Sequence, residues 1–183
     1  MTVGLMILRV VVGALFAGHG AQKLSGWFGG HGINGTAGFM ESLGFTNGRA
    51  AAVLAGLTEA VSGLMLMLGL LTPLAAAGIV GVMLTAIAAV HLRNGVWNTS
   101  GGIELPLVYA VAAAALGFTG PGTFSVDRLC GFHLAGTAYG VGALALGLAA
   151  ALIALAARRC TPATGQQAQH RPEPARPREQ VRA

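Results

Sequence analysis

Long apolar stretches constrain this chain more than any other feature. Five of them, at about 3–22, 50–71, 74–92, 103–119 and 134–157, approach the length that crosses a bilayer. About 20 helical residues span the hydrocarbon core. Only 9% of the residues are charged, against roughly 25% in an ordinary soluble domain. The sequence therefore predicts an all-α fold, a polytopic membrane helix bundle whose first partner is the lipid bilayer.

Arginine is concentrated at the C-terminal end of the sequence. Residues 158–183 hold six arginines and two glutamates and no long apolar run. Such a composition predicts a disordered tail that contacts anionic lipid headgroups. Because most of the excess positive charge lies in this tail, it does not indicate a nucleic-acid-binding fold, and no nucleic-acid partner is predicted.

The basic residues of the short loops predict the orientation in the membrane. Lysine and arginine accumulate in cytoplasmic loops, so the tail is predicted to be cytoplasmic. Five spans then place the N-terminus outside the cell. Lys23, Arg49 and Arg93 fall in the predicted inner loops, and only Arg128 falls in an outer one. The predicted location is the plasma membrane, as a multi-pass protein.

Two charged residues lie inside predicted spans. Arg9 is in the first span and Glu59 is near the middle of the second. An ionisable side chain at that depth costs about 2.5–3.5 kcal/mol on the insertion scale and is a candidate functional residue. The helical rise per residue gives the depth of each residue below the outer surface. The difference between the two depths is small enough for the arginine side chain to bridge most of it, so we predict an Arg9–Glu59 pair. The pair is either a structural link between helices or a proton or substrate site.

A second polar group collects at the predicted cytoplasmic ends of the spans. It contains His19 and Lys23 at the end of the first span, His91 at the end of the third, Trp97 in the following loop, and Glu104 at the start of the fourth. Each is typical of an interfacial anchor when taken alone. Together they form a candidate catalytic or quinone-binding site, because a quinone needs hydrogen-bonding groups beside an apolar surface.

Other cofactors find less support in the sequence. His19 and His91 are conceivable axial haem ligands, but lone histidines more often form hydrogen bonds, so haem is disfavoured. The sequence contains no H-E-x-x-H motif, no P-loop and no G-x-G-x-x-G that opens a helix after a strand, and no metal site is predicted.

The whole pattern resembles the DoxX family of small membrane proteins. No single motif carries the resemblance, which covers about residues 5–130. Its elements are Leu8-Arg9, His19-Gly20-Ala21-Gln22-Lys23-Leu24, Gly26-Trp27-Phe28-Gly29-Gly30, Gly38-Phe39, Leu43-Gly44, Glu59, Gly63, Leu68-Gly69-Leu70-Leu71-Thr72-Pro73, His91, Asn94-Gly95, Asn98, Gly101-Gly102, Glu104, Gly120-Pro121-Gly122 and Asp127.

The resemblance implies a fold and a functional setting. It implies a four-helix membrane bundle over 1–130, to which this chain adds a fifth transmembrane helix at 131–157 and the tail at 158–183. Members of the family are associated with quinone-linked oxidoreductase systems, including thiosulfate:quinone oxidoreductase and a mycobacterial membrane oxidoreductase complex. The resemblance supplies no assigned catalytic residue. It implies that six residues match recurrent polar positions: Arg9, His19, Lys23, Glu59, His91 and Glu104.

Three functions follow from these observations. The first is a membrane subunit of a quinone-linked redox complex, which needs a protein partner because the sequence has no cofactor motif and no C-x-x-C pair. The second is a carrier for a small solute or protons, built on Arg9 and Glu59. The third is a non-catalytic scaffold or assembly factor.

Overall fold

The computed structural model describes residues 2–158, which fold as helices joined by short loops. Seven α-helices lie in that range: α1 (Thr2–Ser25), α2 (Gly32–Ser42), α3 (Gly48–Leu68), α4 (Thr72–Ala86), α5 (Glu104–Thr119), α6 (Val126–Leu129) and α7 (Thr137–Ala156). The predicted all-α membrane bundle is confirmed. The predicted basic tail lies outside the described residues from residue 159 onward.

Within residues 2–158, four helices are long and apolar enough to cross a membrane. They cover Val3–Ser25, Gly48–Leu68, Thr72–Asn94 and Thr137–Ala156. The helix α5 has 16 residues and is about 24 Å long, somewhat less than a hydrocarbon core of about 30 Å. It nevertheless runs from one end of the bundle to the other, because Tyr109 near its start contacts His19 and Pro121 just beyond its end contacts Arg9.

Glycines allow α1 and α3 to pack closely and antiparallel. Gly13 and Gly20 lie two turns apart on α1, and Gly56 and Gly63 lie two turns apart on α3. A Cβ atom at Gly13 would come within 2.6 Å of the Gly63 carbonyl oxygen, and one at Gly20 would collide with the backbone of α3. Small residues at these positions bring the two backbones together, as in many membrane helix pairs.

The helix α4 lies at the centre of the bundle. It packs against α3, α5 and α7, and α1 completes a four-helix core through its contacts with α3 and α5. Buried residues occur all round α4, including Ala75, Ile79 and Val80. The helix α7 packs on α4 and α5 from outside this core. The division into a four-helix bundle over 1–130 and a fifth transmembrane helix at 131–157 stays a prediction.

The ends of α4 differ from the sequence prediction. The expected break at Thr72-Pro73 lies slightly earlier, at Gly69 and Leu71, which both adopt positive φ. Pro73 sits in the first turn of α4, where its missing N–H costs nothing. At its other end α4 continues as a π turn over Ile87–His91 and a 3₁₀ turn over Leu92–Asn94.

The bundle has two polar ends, which we name after a residue at each. The Lys23 end holds the C-termini of α1 and α4 and the N-termini of α3 and α5. The C-terminus of α7 also lies there, because Arg158 Nε donates a 2.7 Å hydrogen bond to the Leu43 carbonyl. The Asp127 end holds the opposite termini and α6.

Candidate functional site

Lys23 and Glu59 form an ion pair between α1 and α3. Lys23 Nζ lies 2.5 Å from both carboxylate oxygens of Glu59. The Glu59 side chain is 2% exposed in the middle of α3, whereas that of Lys23 is 29% exposed near the end of α1. Helical side chains tilt toward the N-terminus of their own helix, so the lysine stem reaches inward from the helix end to Glu59.

The predicted Arg9–Glu59 pair is wrong. Arg9 is 3% exposed, but its guanidinium faces the loop that follows α5. It donates through Nη1 to the Pro121 carbonyl at 3.3 Å and through Nη2 to the Phe124 carbonyl. Within residues 2–158 its Nε is buried without a hydrogen-bond partner. The pair was predicted from the depth of the two residues in the membrane alone. In the structure the loop after α5 folds back onto α1 and accepts the hydrogen bonds of Arg9, whereas Glu59 accepts those of Lys23.

Asp127, which was not among the predicted site residues, is completely buried at the Asp127 end. Its carboxylate accepts hydrogen bonds from the backbone N–H of Leu71 at 2.7 Å and of Thr72 at 3.0 Å, and from the Thr72 hydroxyl at 2.9 Å. It therefore caps the N-terminus of α4, where negative charge is favourable. The feature of the sequence that could have identified Asp127 is that it is the only acidic residue between 120 and 133.

His19 lies one turn before Lys23 on α1. Its Nδ1 is 3.0 Å from Gln22 Oε1, and its ring meets the ring of Tyr109 edge-on with centroids 6.1 Å apart. Tyr109 is buried on α5. Three helices thus contribute side chains to one group at the Lys23 end. We call this group the polar cluster; its members are His19, Gln22, Lys23, Glu59 and Tyr109.

The other predicted site residues brace the loop between α4 and α5. His91 Nδ1 donates to the Gly101 carbonyl at 2.7 Å, and Glu104 accepts the backbone N–H of Asn98 at 2.8 Å. Trp97 is 68% exposed. In the described part of the chain no hydrogen bond or ion pair joins His91 or Glu104 to the polar cluster. The structure therefore divides the predicted site into the polar cluster and a separate, internally braced loop.

Sequence comparisons place this bundle among known proteins. The DoxX family model matches residues 4–92, which contain α3, all but the first two residues of α1, and the ion pair that joins the two helices. "Inner membrane protein YphA" of Escherichia coli (strain K12) is 31% identical to the chain over 133 residues. The alignment covers 68% of the chain and 88% of that relative. The chain belongs to the DoxX family. No solved structure matches it.

Two open apolar grooves mark the outside of this DoxX protein. A groove of about 390 Å³ lies between α3, α4 and α7, with Thr58 and Ser62 on one wall. A second, of about 270 Å³, lies between α4, α5 and α7. Neither is lined by a residue of the polar cluster. Across residues 2–158, no three His, Cys, Asp or Glu side chains are grouped so as to hold a metal ion.

Proposed function

We propose that this DoxX protein is a membrane subunit of a quinone-linked oxidoreductase system and that the polar cluster receives the quinone headgroup. The observation that carries the proposal is the Lys23–Glu59 pair beside His19, set between apolar helices at one end of the bundle. A quinone diffuses within the bilayer, so its site needs hydrogen-bonding groups that adjoin a lipid-facing surface. Exposed apolar side chains cover the outer face of α1, including Val11 and Leu15.

The residues of the polar cluster suit the two oxygens of a quinone ring. An ammonium group has three N–H donors, and Glu59 accepts two hydrogen bonds from Lys23. The third donor and the partial exposure of Lys23 allow it to bind a quinone carbonyl without releasing Glu59. The two hydrogen bonds to Glu59 hold the lysine side chain in place. A quinone, when bound, supplies two-electron redox chemistry, and the protein binds and orients it.

A separate protein subunit is proposed as the electron-transfer partner. The G-x-G-x-x-G spacing at 30–35 follows a helix and not a strand, so it is not a dinucleotide-binding motif, and the sequence has no C-x-x-C pair. The braced loop between α4 and α5 extends from the Lys23 end with Trp97 exposed, and this places a protruding aromatic side chain on the same side as the polar cluster.

A carrier function built on Arg9 and Glu59 is not supported, because the two side chains bind different partners. All the polar contacts of Arg9 hold the loop after α5. We therefore propose a structural role for Arg9 and not a transport role.

We further propose that the Lys23 end faces the cytoplasm. Lys23, Arg49, Arg93 and Arg158 all lie at this end, whereas Arg128 lies at the Asp127 end. This distribution agrees with the enrichment of positive charge in cytoplasmic loops. On this proposal the N-terminus lies outside, and the chain crosses the membrane five times, with α5 as one of the crossings.

The proposal is tested by purifying the full chain in mild detergent from its native membrane. Quinones are measured in the lipid extract, partner proteins by mass spectrometry and haem by absorbance. We expect wild type and the surface variant Glu41→Gln to retain a partner and at least stoichiometric quinone, and Glu59→Gln to lose the quinone. Absence of both partner and quinone from the wild-type preparation would contradict the proposed function.

A further inference from the structure

We infer that His19 binds the hydroxyl group of a reduced quinone, a hydroquinone, through Nε2, and that Gln22 and the turn at Gly26–Gly30 hold the imidazole in the required tautomer. This inference rests on the proposed function and adds to it the redox form that the polar cluster selects.

The turn after α1 folds back onto Gln22. A Cβ atom at Gly30 would collide with the backbone and Cβ of Gln22, so this approach requires glycine. Phe28 adopts φ 53°, a left-handed conformation that L-residues other than glycine seldom occupy. The Phe28 side chain gains little packing in return, because the residue is 75% exposed and its ring meets the ring of Trp27 edge-on, with centroids 6.3 Å apart. In this conformation the Phe28 carbonyl points at Gln22, and such strain is typical of positions held for function.

The Phe28 carbonyl sets the orientation of the Gln22 amide. A carbonyl oxygen can only accept, so the amide group 3.2 Å away must present Nε2 to it. The amide oxygen Oε1 then faces His19, 3.0 Å from Nδ1. Because Oε1 also can only accept, Nδ1 must carry the proton. The tautomer of His19 is thus determined by two successive hydrogen bonds that begin at a backbone carbonyl.

A neutral His19 in this tautomer has a lone pair at Nε2. Among residues 2–158 this atom has no hydrogen-bond partner, and it is not one of the buried unpaired atoms. The edge-on ring of Tyr109 forms one wall beside the imidazole, and Lys23 follows one turn later. The polar cluster therefore offers an acceptor at His19 and a donor at Lys23.

This pairing distinguishes the two redox forms of a quinone. A hydroquinone has O–H groups that can donate to Nε2, whereas both oxygens of an oxidised quinone can only accept. Lys23 can bind either form. His19 adds a hydrogen bond to the reduced form alone, and one such bond changes affinity by about fivefold to tenfold.

The tautomer is measured by ¹⁵N NMR on the full chain, labelled at histidine and reconstituted in lipid nanodiscs at alkaline pH, where imidazoles are neutral. The His19 signals are assigned by comparison with His19→Gln. We expect Nδ1 to be protonated and Nε2 unprotonated in wild type, and this preference to be lost in Gln22→Ala. A wild-type protein with the proton on Nε2 would overturn the inference.

Ligand selectivity is measured in the same preparation with tetramethylhydroquinone under anaerobic conditions and with its oxidised form, tetramethylbenzoquinone. We expect His19→Phe, which has no hydrogen-bond acceptor, to lower affinity for the hydroquinone by about fivefold to tenfold and to leave affinity for the quinone unchanged. If both forms bind wild type and His19→Phe equally well, the inference fails while the proposed function stands. If neither form binds wild type, the quinone proposal fails together with this inference.

Discussion

Lys23 reaches from the end of α1 to the middle of α3, where its ammonium group contacts both carboxylate oxygens of Glu59 at 2.5 Å. The contact spans the same helix pair that Gly20 and Gly56 bring together. Close approach of the two backbones shortens the distance that the lysine stem must bridge. The glycine packing and the ion pair therefore support one another, and the polar cluster depends on both.

The two members of the ion pair differ in exposure, so their replacement has unequal effects on stability. In Lys23→Met, Glu59 remains buried without a counter-charge, and we expect a loss of about 3–5 kcal/mol. In Glu59→Gln, the partly exposed Lys23 can turn toward the headgroups, and we expect a loss of about 1–2 kcal/mol. Denaturant unfolding in detergent micelles measures both. Equal losses, or a double variant no more stable than Lys23→Met, would show that the pair is not coupled as described.

Packing of α1 on α3 is tested by adding a side chain at one of two nearby glycines. Valine at Gly20 would meet the backbone of α3, whereas valine at Gly18 would meet open space. Overpacking typically costs about 1–3 kcal/mol where neighbouring side chains can shift. At Gly20 the neighbouring atoms are backbone atoms, so we expect Gly20→Val to destabilise the bundle by about 3 kcal/mol or more. Gly18→Val is the matched control and is expected to unfold like wild type. Comparable thermal stability of the two variants would contradict the packing described here.

At the other end of the bundle, Asp127 is expected to stabilise the start of α4. Replacing it with alanine leaves the N–H groups of Leu71 and Thr72 and the Thr72 hydroxyl without their acceptor. Hydrogen bonds to a charged group contribute about 1.5–3 kcal/mol each and are not additive, so we expect a total loss of about 3–4 kcal/mol. The adjacent variant Arg128→Ala removes an exposed side chain and is expected to change the unfolding midpoint little. Similar midpoints for both variants would argue against a capping role.

The proposed orientation is tested with the native cysteines. Cys130 is exposed at the Asp127 end, so a membrane-impermeant maleimide should label it in intact cells carrying Cys160→Ala. Cys160 follows Arg158 at the Lys23 end in the sequence, and the complementary variant Cys130→Ala should react only after permeabilisation. The reverse pattern would place the Lys23 end outside and invert the topology.

The helices were predictable from sequence because long apolar stretches have few stable alternatives in a membrane protein. Helix depth was also predictable, since it follows from residue counts. The partners of Arg9 and Glu59 were not, because rise along the axis says nothing about which way a helix face turns. Lys23 was predicted to be an interfacial residue at the end of the first span. Because helical side chains tilt toward the N-terminus of their helix, it is the partner of Glu59.

The contacts of Asp127 and the orientation of His19 were not predictable because both depend on loop geometry. Asp127 reaches α4 only because the segment after α5 folds back over the end of the bundle, a long-range feature with no local signature. The orientation of His19 depends on the turn at Phe28, whose positive φ is unexpected for a phenylalanine. The polar residue types were visible in the sequence, but their hydrogen-bond partners required the fold.

The central claim is that the polar cluster built on Lys23 and Glu59 serves quinone-linked redox chemistry. The most direct test is quinone-dependent turnover by the complex purified from native membranes, measured for wild type, Glu59→Gln and the surface control Glu41→Gln. The account predicts that Glu59→Gln reduces turnover at least tenfold in a complex that still assembles, while Glu41→Gln retains wild-type turnover. Full quinone-dependent turnover in an assembled Glu59→Gln complex would contradict it.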